Sequence, residues 1–233
     1  MVAVSQLAHR EASERRWLDE ITQQAKDGRP VSDNDRVYAF RKFAEAGCLP
    51  TLEPILPLIL NLKGKPYSLT NHLQFSPCFR TRMPTNQVWK TGRQVSKSTS
   101  LAASGVVTTN ALPFFTTLYV TPLFEQIRRF STNYVRPFID LSPVKALWSD
   151  TTTENSVLQR SFKNQSKMIF SFAFLDADRI RGITADRICY DEVQDMNRDF
   201  IPIIVETMSH SDYGVSLFTG TPKTLDGTLQ GLW

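Results

Sequence analysis

Hydrophobic positions divide this chain into two textures. In the first 46 residues, apolar side chains recur at helical spacing, with Leu18, Ile21 and Ala25 set among Glu, Lys, Gln and Arg. Gly28-Arg-Pro30 breaks the period, and Ser32 then offers a cap for a second helix over 33–46 that stops at Gly47. Residues 49–84 are rich in Pro and lack a period, so they predict a linker or wrapping segment with one short helix over 54–62. From residue 86 short β-branched and aromatic runs alternate with longer helical stretches. The predicted strands are 87–90, 116–120, 187–190 and 215–218, with a hairpin over 156–162 and 167–174 around Lys163-Asn-Gln-Ser166. The predicted helices are 97–110, 123–138 and 200–209. Such alternation is the texture of an α/β protein with a mostly parallel sheet flanked by helices, here preceded by an N-terminal helical segment. The expected division is 1–84 as a segment that packs on or lids the rest, and 85–233 as the core.

Composition narrows the class only a little. Hydrophobic residues make up 41% and charged residues 21% of the 233, as in ordinary soluble domains. No apolar run approaches the roughly 20 residues of a membrane helix, and the polar start of the chain, with both charge signs, is not a secretory signal. Cys48, Cys78 and Cys189 are far apart and odd in number, which argues against both a metal-ligand spacing and a disulfide framework. These features predict an intracellular setting without membrane attachment. A net charge of +4 permits contact with nucleic acid without demonstrating it.

Three motifs carry the chemistry. The first is Gly92-Arg-Gln-Val-Ser-Lys-Ser-Thr99, between a predicted strand and a predicted helix. A phosphate loop needs backbone N–H groups facing inward, a helix N-terminus behind them, a Lys for the β- and γ-phosphates and a Ser or Thr hydroxyl for Mg²⁺. Lys97 and Ser98 supply the last two, while the glycine normally found before the Lys is Ser96. The second motif, Arg187-Ile-Cys-Tyr-Asp-Glu192, is an apolar strand ending in two carboxylates. Asp191 is placed to hold Mg²⁺ through water and Glu192 to polarise an attacking water. The third, Leu217-Phe-Thr-Gly-Thr-Pro222, runs a strand into a small polar turn, where Thr219, Gly220 and Thr221 can sense the γ-phosphate. Each motif alone is common: a polar turn before a helix, a solvated acidic turn, a Gly-Thr-Pro turn. Their order along one chain predicts a P-loop NTPase of the additional-strand (ASCE) type.

The ordered triple resembles the ATPase domain of the tailed-bacteriophage terminase large subunit. The family's variant loop reads [GS]-R-Q-[LV]-G-K-[ST], and 92–98 is similar to it at every position except Ser96. The resemblance implies that residues 92–99, including Gly92, Arg93, Gln94, Val95, Ser96, Lys97, Ser98 and Thr99, bind nucleotide. It further implies that Arg93 contacts phosphate or the catalytic Glu, and that Gln74 reads adenine. Arg181-Gly182 is similar to a pair in which the Arg serves as a finger for a neighbouring subunit's ATP, with Arg179 as the alternative. The implied catalytic set is Glu192, Lys97, Arg93 and Arg181, with ATP and Mg²⁺ as cofactors. The implied function is ATP hydrolysis that powers movement of double-stranded DNA into a procapsid in the host cytoplasm. The implied partners are DNA, a portal protein, a small terminase subunit and further copies in a homo-oligomeric ring, the isolated domain being monomeric. The family's large subunit continues into a nuclease with clustered acidic ligands. No such cluster follows Pro222, so the expectation is a motor domain without nuclease activity.

Two other readings stay open on the sequence alone. Asp191-Glu-Val-Gln194 with Thr219-Gly-Thr-Pro222 also resembles helicase motor boxes. A nucleotide-binding fold kept only for docking is the non-enzymatic alternative, which Ser96 favours and the intact set of Lys97, Ser98, Asp191 and Glu192 opposes.

Overall fold

A computed structural model of the chain describes residues 2–173, 180 and 182–223, with side chains from residue 8 onward. Helix α1 (Val2–Lys26) turns Leu18, Ile21 and Ala25 inward. Ser32 caps α2 (Asp33–Ala39) by accepting the Asp35 N–H at 3.1 Å. The helix predicted over 33–46 does not stay α-helical. It widens into a π-helical stretch at Phe40–Glu45, which brings Phe40, Phe43 and Ala44 into the core together. The Pro-rich segment holds a 3₁₀ turn (Glu53–Ile55), the short buried helix α3 (Leu56–Ile59) and a small hairpin of β1 (Asn61–Leu62) with β2 (Lys65–Pro66). A 3₁₀ helix follows at Leu73–Phe79.

The central sheet is built from β3 (Asn86–Lys90), β4 (Thr116–Thr121), β5 (Gln159–Ser161), β6 (Lys167–Phe172), β7 (Arg187–Tyr190) and β8 (Val215–Gly220). Its spatial order is β3-β8-β7-β4-β6-β5, parallel throughout except for the antiparallel edge strand β5. Strands β4, β7 and β8 are buried at every position, as interior strands covered on both faces must be.

Helix α4 (Lys97–Ala111) follows β3 and is buried almost all round. Its small residues allow this: a Cβ on Gly105 would stand 2.7 Å from Met168 Cε on β6. After β4 the predicted single helix over 123–138 is α5 (Phe124–Phe130), a π-helical turn (Ser131–Val135) and α6 (Arg136–Asp140). The wide turn accommodates Arg160 from β5, whose Nη2 reaches the Ser131 carbonyl at 3.2 Å and its hydroxyl at 3.0 Å. Short α7 (Lys145–Trp148) precedes β5, and α8 (Phe200–Val205) lies between β7 and β8.

One apolar core runs from α1 to β8 on the α4 side of the sheet, and it includes Phe40, Ile55, Phe75, Val106 and Leu217. A second, with Leu118, Tyr190, Ile204 and Phe218, fills the other face. No helix among the described residues is long and apolar enough to cross a membrane.

Candidate active site

Lys97, Asp191, Glu192 and Thr219 all come from the carboxyl ends of parallel strands or the turns that follow them. Strand β8 separates β3 from β7, so the strand bearing the loop and the strand bearing the acidic pair are next-nearest neighbours. The loop base is tied to β8 by the Thr91 N–H donating to the Gly220 carbonyl at 3.2 Å.

The loop turns through two left-handed residues, Gln94 (φ 60°) and Ser96 (φ 64°). Ser96 therefore adopts the conformation that glycine supplies most readily. Gly92 is not left-handed, and a Cβ there would meet nothing within 4 Å. A cavity of about 380 Å³ opens beside the loop, lined by residues 92–99 together with Tyr134, Glu192 and Thr221.

Lys97, the first residue of α4, is 8% exposed. Its Nζ stands 3.1 Å from Asp191 Oδ1 and 3.1 Å from Glu192 Oε1. Burial pulls the lysine pKa down, but the charges of Asp191 and Glu192 outweigh it and hold the pKa above the ordinary value. The ammonium is thus fixed as a cation facing the cavity edge.

Asp191 is 4% exposed and held from several sides. The Thr219 hydroxyl donates to Oδ1 at 2.7 Å, the Tyr119 hydroxyl to Oδ2 at 2.8 Å, and the Glu192 N–H to Oδ1 at 3.0 Å. Tyr119 stacks on Phe130 with centroids 3.9 Å apart. Burial first, then the Asp191 charge, raises the Tyr119 pKa far above that of a free phenol, so the group stays a donor. Glu192 takes a left-handed backbone (φ 54°, ψ 41°), which costs a non-glycine residue about 1–3 kcal/mol and turns its side chain from the sheet edge toward Lys97.

Ser98, Asp191 and Glu192 also line a smaller cavity of about 150 Å³ with Tyr119, Arg129 and Tyr134. The donor set fits Mg²⁺. The Ser98 hydroxyl and the carboxylates of Asp191 and Glu192 share the space, and no group of three or more acidic, His or Cys ligands exists among the described residues. Mg²⁺ keeps several waters and takes one or two carboxylates plus substrate phosphates, so no larger protein cage is needed.

The other predicted residues fall as follows. Arg93 is exposed on the loop and lines its cavity. Gln74 is exposed on the 3₁₀ helix and is not among the residues lining that cavity, while its neighbour Phe75 packs on Trp89 of β3 with centroids 4.8 Å apart. Arg181 and Arg179 lie outside the described residues. Sequence reasoning missed Tyr119, Gln194, Arg129 and Tyr134. Gln194 lay in plain view two places after Glu192, but nothing local reveals what its amide touches. A larger cavity of about 490 Å³, lined by Leu52, Arg82, Thr108, Phe115 and Tyr213 among others, contains none of the motif residues.

This order of strands, with one strand inserted between the loop strand and the acidic strand, defines a P-loop NTPase fold of the additional-strand class. Bacteriophage large terminase ATPase domains share it. The large terminase ATPase domain of Thermus phage P74-26 superposes with a TM-score of 0.53 at 22% identity, covering 66% of each chain. The HK97 bacteriophage large terminase gives 0.58 at 15% identity over 87% of this chain and 40% of that one. The large terminase of a further, thermophilic bacteriophage gives 0.54 at 14% identity, over 70% of this chain and 41% of that one. The chain therefore matches 66% of the length of the P74-26 domain and about two fifths of each of the other two proteins. At these identities the likeness is one of fold. No protein-family model matches the sequence, and neither does any curated protein.

Proposed function

We propose that this chain is the ATP-hydrolysing motor domain of a bacteriophage large terminase, which drives double-stranded DNA into a procapsid. The observation that carries the reading is the meeting of Lys97 with Asp191 and Glu192 at 3.1 Å, at the carboxyl edge of a terminase-type sheet.

In the proposed reaction the backbone N–H groups of 92–97 and the Lys97 ammonium hold the β- and γ-phosphates, and Arg93 approaches them from the loop. Mg²⁺, when bound, would neutralise the negative charge that develops on the phosphates. The Ser98 hydroxyl and the Asp191 carboxylate would hold it, the latter kept in place by Thr219 and Tyr119. Glu192 orients a water toward the γ-phosphorus and accepts its proton. The new P–O bond forms as the bond to the β-bridging oxygen breaks, releasing ADP and phosphate. Thr219, Gly220 and Thr221 then relay the loss of the γ-phosphate. Gln74 is proposed at adenine, and Arg181 as a finger acting on a neighbouring subunit within a ring. Such an arginine contributes roughly 10³ to 10⁵ in rate in well-studied NTPases, so the isolated domain is slow. DNA is held by its phosphates, so binding weakens steeply with salt and ignores sequence. The portal protein and small terminase subunit are the proposed docking partners.

The test is ATP turnover by the wild type, Lys97→Ala and Glu192→Ala, each with and without double-stranded DNA. The reading predicts DNA-stimulated turnover in the wild type alone. Wild-type turnover no faster than that of Glu192→Ala would remove the enzymatic reading.

A further inference from the structure

Gln194 uses both ends of its side chain on the two motifs that flank it. Its Nε2 donates to Glu192 Oε2, and its Oε1 accepts the backbone N–H of Thr221 at 3.1 Å. Chemistry dictates this orientation: a carboxylate needs a donor and a backbone N–H needs an acceptor, so the amide cannot flip without losing both bonds. Gln194 sits in the 3₁₀ turn Val193–Asp195, directly after the left-handed Glu192. The next residue continues the link, because Lys223 Nζ reaches Asp195 Oδ1 at 2.6 Å and Oδ2 at 2.9 Å. The turn after β8 is thus strapped to the acidic turn by an amide bridge and an exposed ion pair.

Glu192 has two side-chain holders, Lys97 on Oε1 and Gln194 on Oε2. A bound triphosphate competes for Lys97, because the ammonium is the group that meets the β- and γ-phosphates. Gln194 then remains as the holder of the carboxylate. Any swing of Glu192 toward a water at the γ-phosphate must either carry the Gln194 amide along or break from it. If the amide is carried along, the Thr221 N–H must change its acceptor; if the bond to Glu192 breaks, Gln194 stays on Thr221 and the link is cut.

We propose that Gln194 is a positioning residue that sets Glu192 for water attack and transmits its position to the Thr219–Pro222 turn. The proposal rests on the ATPase reading above and extends it with a specific wire between the hydrolytic carboxylate and the turn after β8. The Lys223–Asp195 pair is exposed and worth little on its own. The amide bridge is the coupling element.

The experiment compares wild type, Gln194→Ala and Gln194→Glu for ATPγS affinity, ATP turnover and backbone hydrogen exchange at Thr221. Gln194→Glu keeps the size of the side chain but cannot donate to Glu192. Both variants should bind ATPγS within about twofold of wild type, while kcat falls about tenfold, the loss expected for one charge-assisted hydrogen bond. In the wild type the Thr221 N–H should change protection when ATPγS binds. In Gln194→Ala, which removes its acceptor, it should exchange faster. In neither variant should it respond to the nucleotide, because Gln194→Glu still accepts from Thr221 but no longer donates to Glu192. Unchanged kcat in both variants, or Thr221 protection that still responds to nucleotide in both, overturns the proposal. Equal loss of affinity and turnover also overturns it, since that pattern is general damage to the site. If wild type binds ATPγS but does not hydrolyse ATP, the ATPase reading fails instead, and the exchange data alone decide whether the amide bridge transmits.

Discussion

Lys97 and Asp191 form a buried ion pair, with Nζ 3.1 Å from Oδ1 and side chains 9% and 6% exposed. In the proposed function these are the phosphate-binding and the metal-binding groups, and here they neutralise each other. Nucleotide binding must exchange this pair for contacts to phosphate and metal. The pair therefore offsets part of the negative charge that Asp191 and Glu192 bring to the site and also sets a cost on entry.

Removal of one partner from a buried pair leaves the other uncompensated. Lys97→Ala should destabilise the nucleotide-free protein by about 3 kcal/mol, read from urea unfolding. The sign with pH follows from the raised lysine pKa. Stabilisation is present below the ordinary lysine value of 10.5 and is lost as pH rises through the higher folded value. The gap between wild type and variant should hold from neutral pH upward and close only above that range. A gap of a few tenths of a kcal/mol at neutral pH would mean that the pair does not support the fold.

Two hydroxyls aim Asp191. Thr219→Val and Tyr119→Phe each remove one donor while keeping shape, and each should lower ATP turnover about tenfold or raise the Mg²⁺ concentration needed for half activity. Because both act on one carboxylate, the double variant should lose less than the product of the two. A Mg²⁺ titration of the four proteins checks this, and strict multiplicativity would show that the two hydroxyls act separately.

The loop places glycine's conformational demand at Ser96, not at Gly92. Ser96→Gly should relieve left-handed strain and change stability by no more than about 1 kcal/mol, while nucleotide binds faster. Gly92→Ala should fold and bind like the wild type, since its φ is ordinary and its Cβ meets nothing. Stopped-flow binding and thermal melts of both variants distinguish this from a loop that depends on Gly92.

Thiol chemistry should report the fold. Burial raises the Cys78 thiol to about 12 and pushes Cys189 upward as well, whereas Cys48 is exposed. Ellman's reagent at pH 8 should find one fast thiol in the folded protein and three in denaturant. Two fast thiols in the folded protein would show that the α4 side of the core opens readily.

Much of this architecture was legible because it is local. The β-branched run 187–190 and the helix beginning at Lys97 needed only periodicity, a polar turn and the chemistry of a helix N-terminus. The loop lysine, the acidic pair and the Thr-rich strand end were readable as types in an order. Where side chains from distant elements pressed on a helix, the local reading failed. The π-helical turns at Phe40–Glu45 and Ser131–Val135 interrupt stretches that look continuous, because core packing and Arg160 act there. The reading of Gln74 rests on its distance along the chain from Lys97; it is exposed and is not among the residues lining the loop's cavity.

The sequence by itself determined which groups this protein carries: one lysine at a helix start, two carboxylates at a strand end, and threonines at another. Only the tertiary structure decided which of them meet. Placing β8 between β3 and β7 sets Thr219 against Asp191, brings Tyr119 from β4 to its other oxygen, and lets Gln194 span from Glu192 to Thr221. The physical reason is that strand order and left-handed turns come from burying two apolar faces at once. That is a property of the whole chain, which no short stretch of residues encodes.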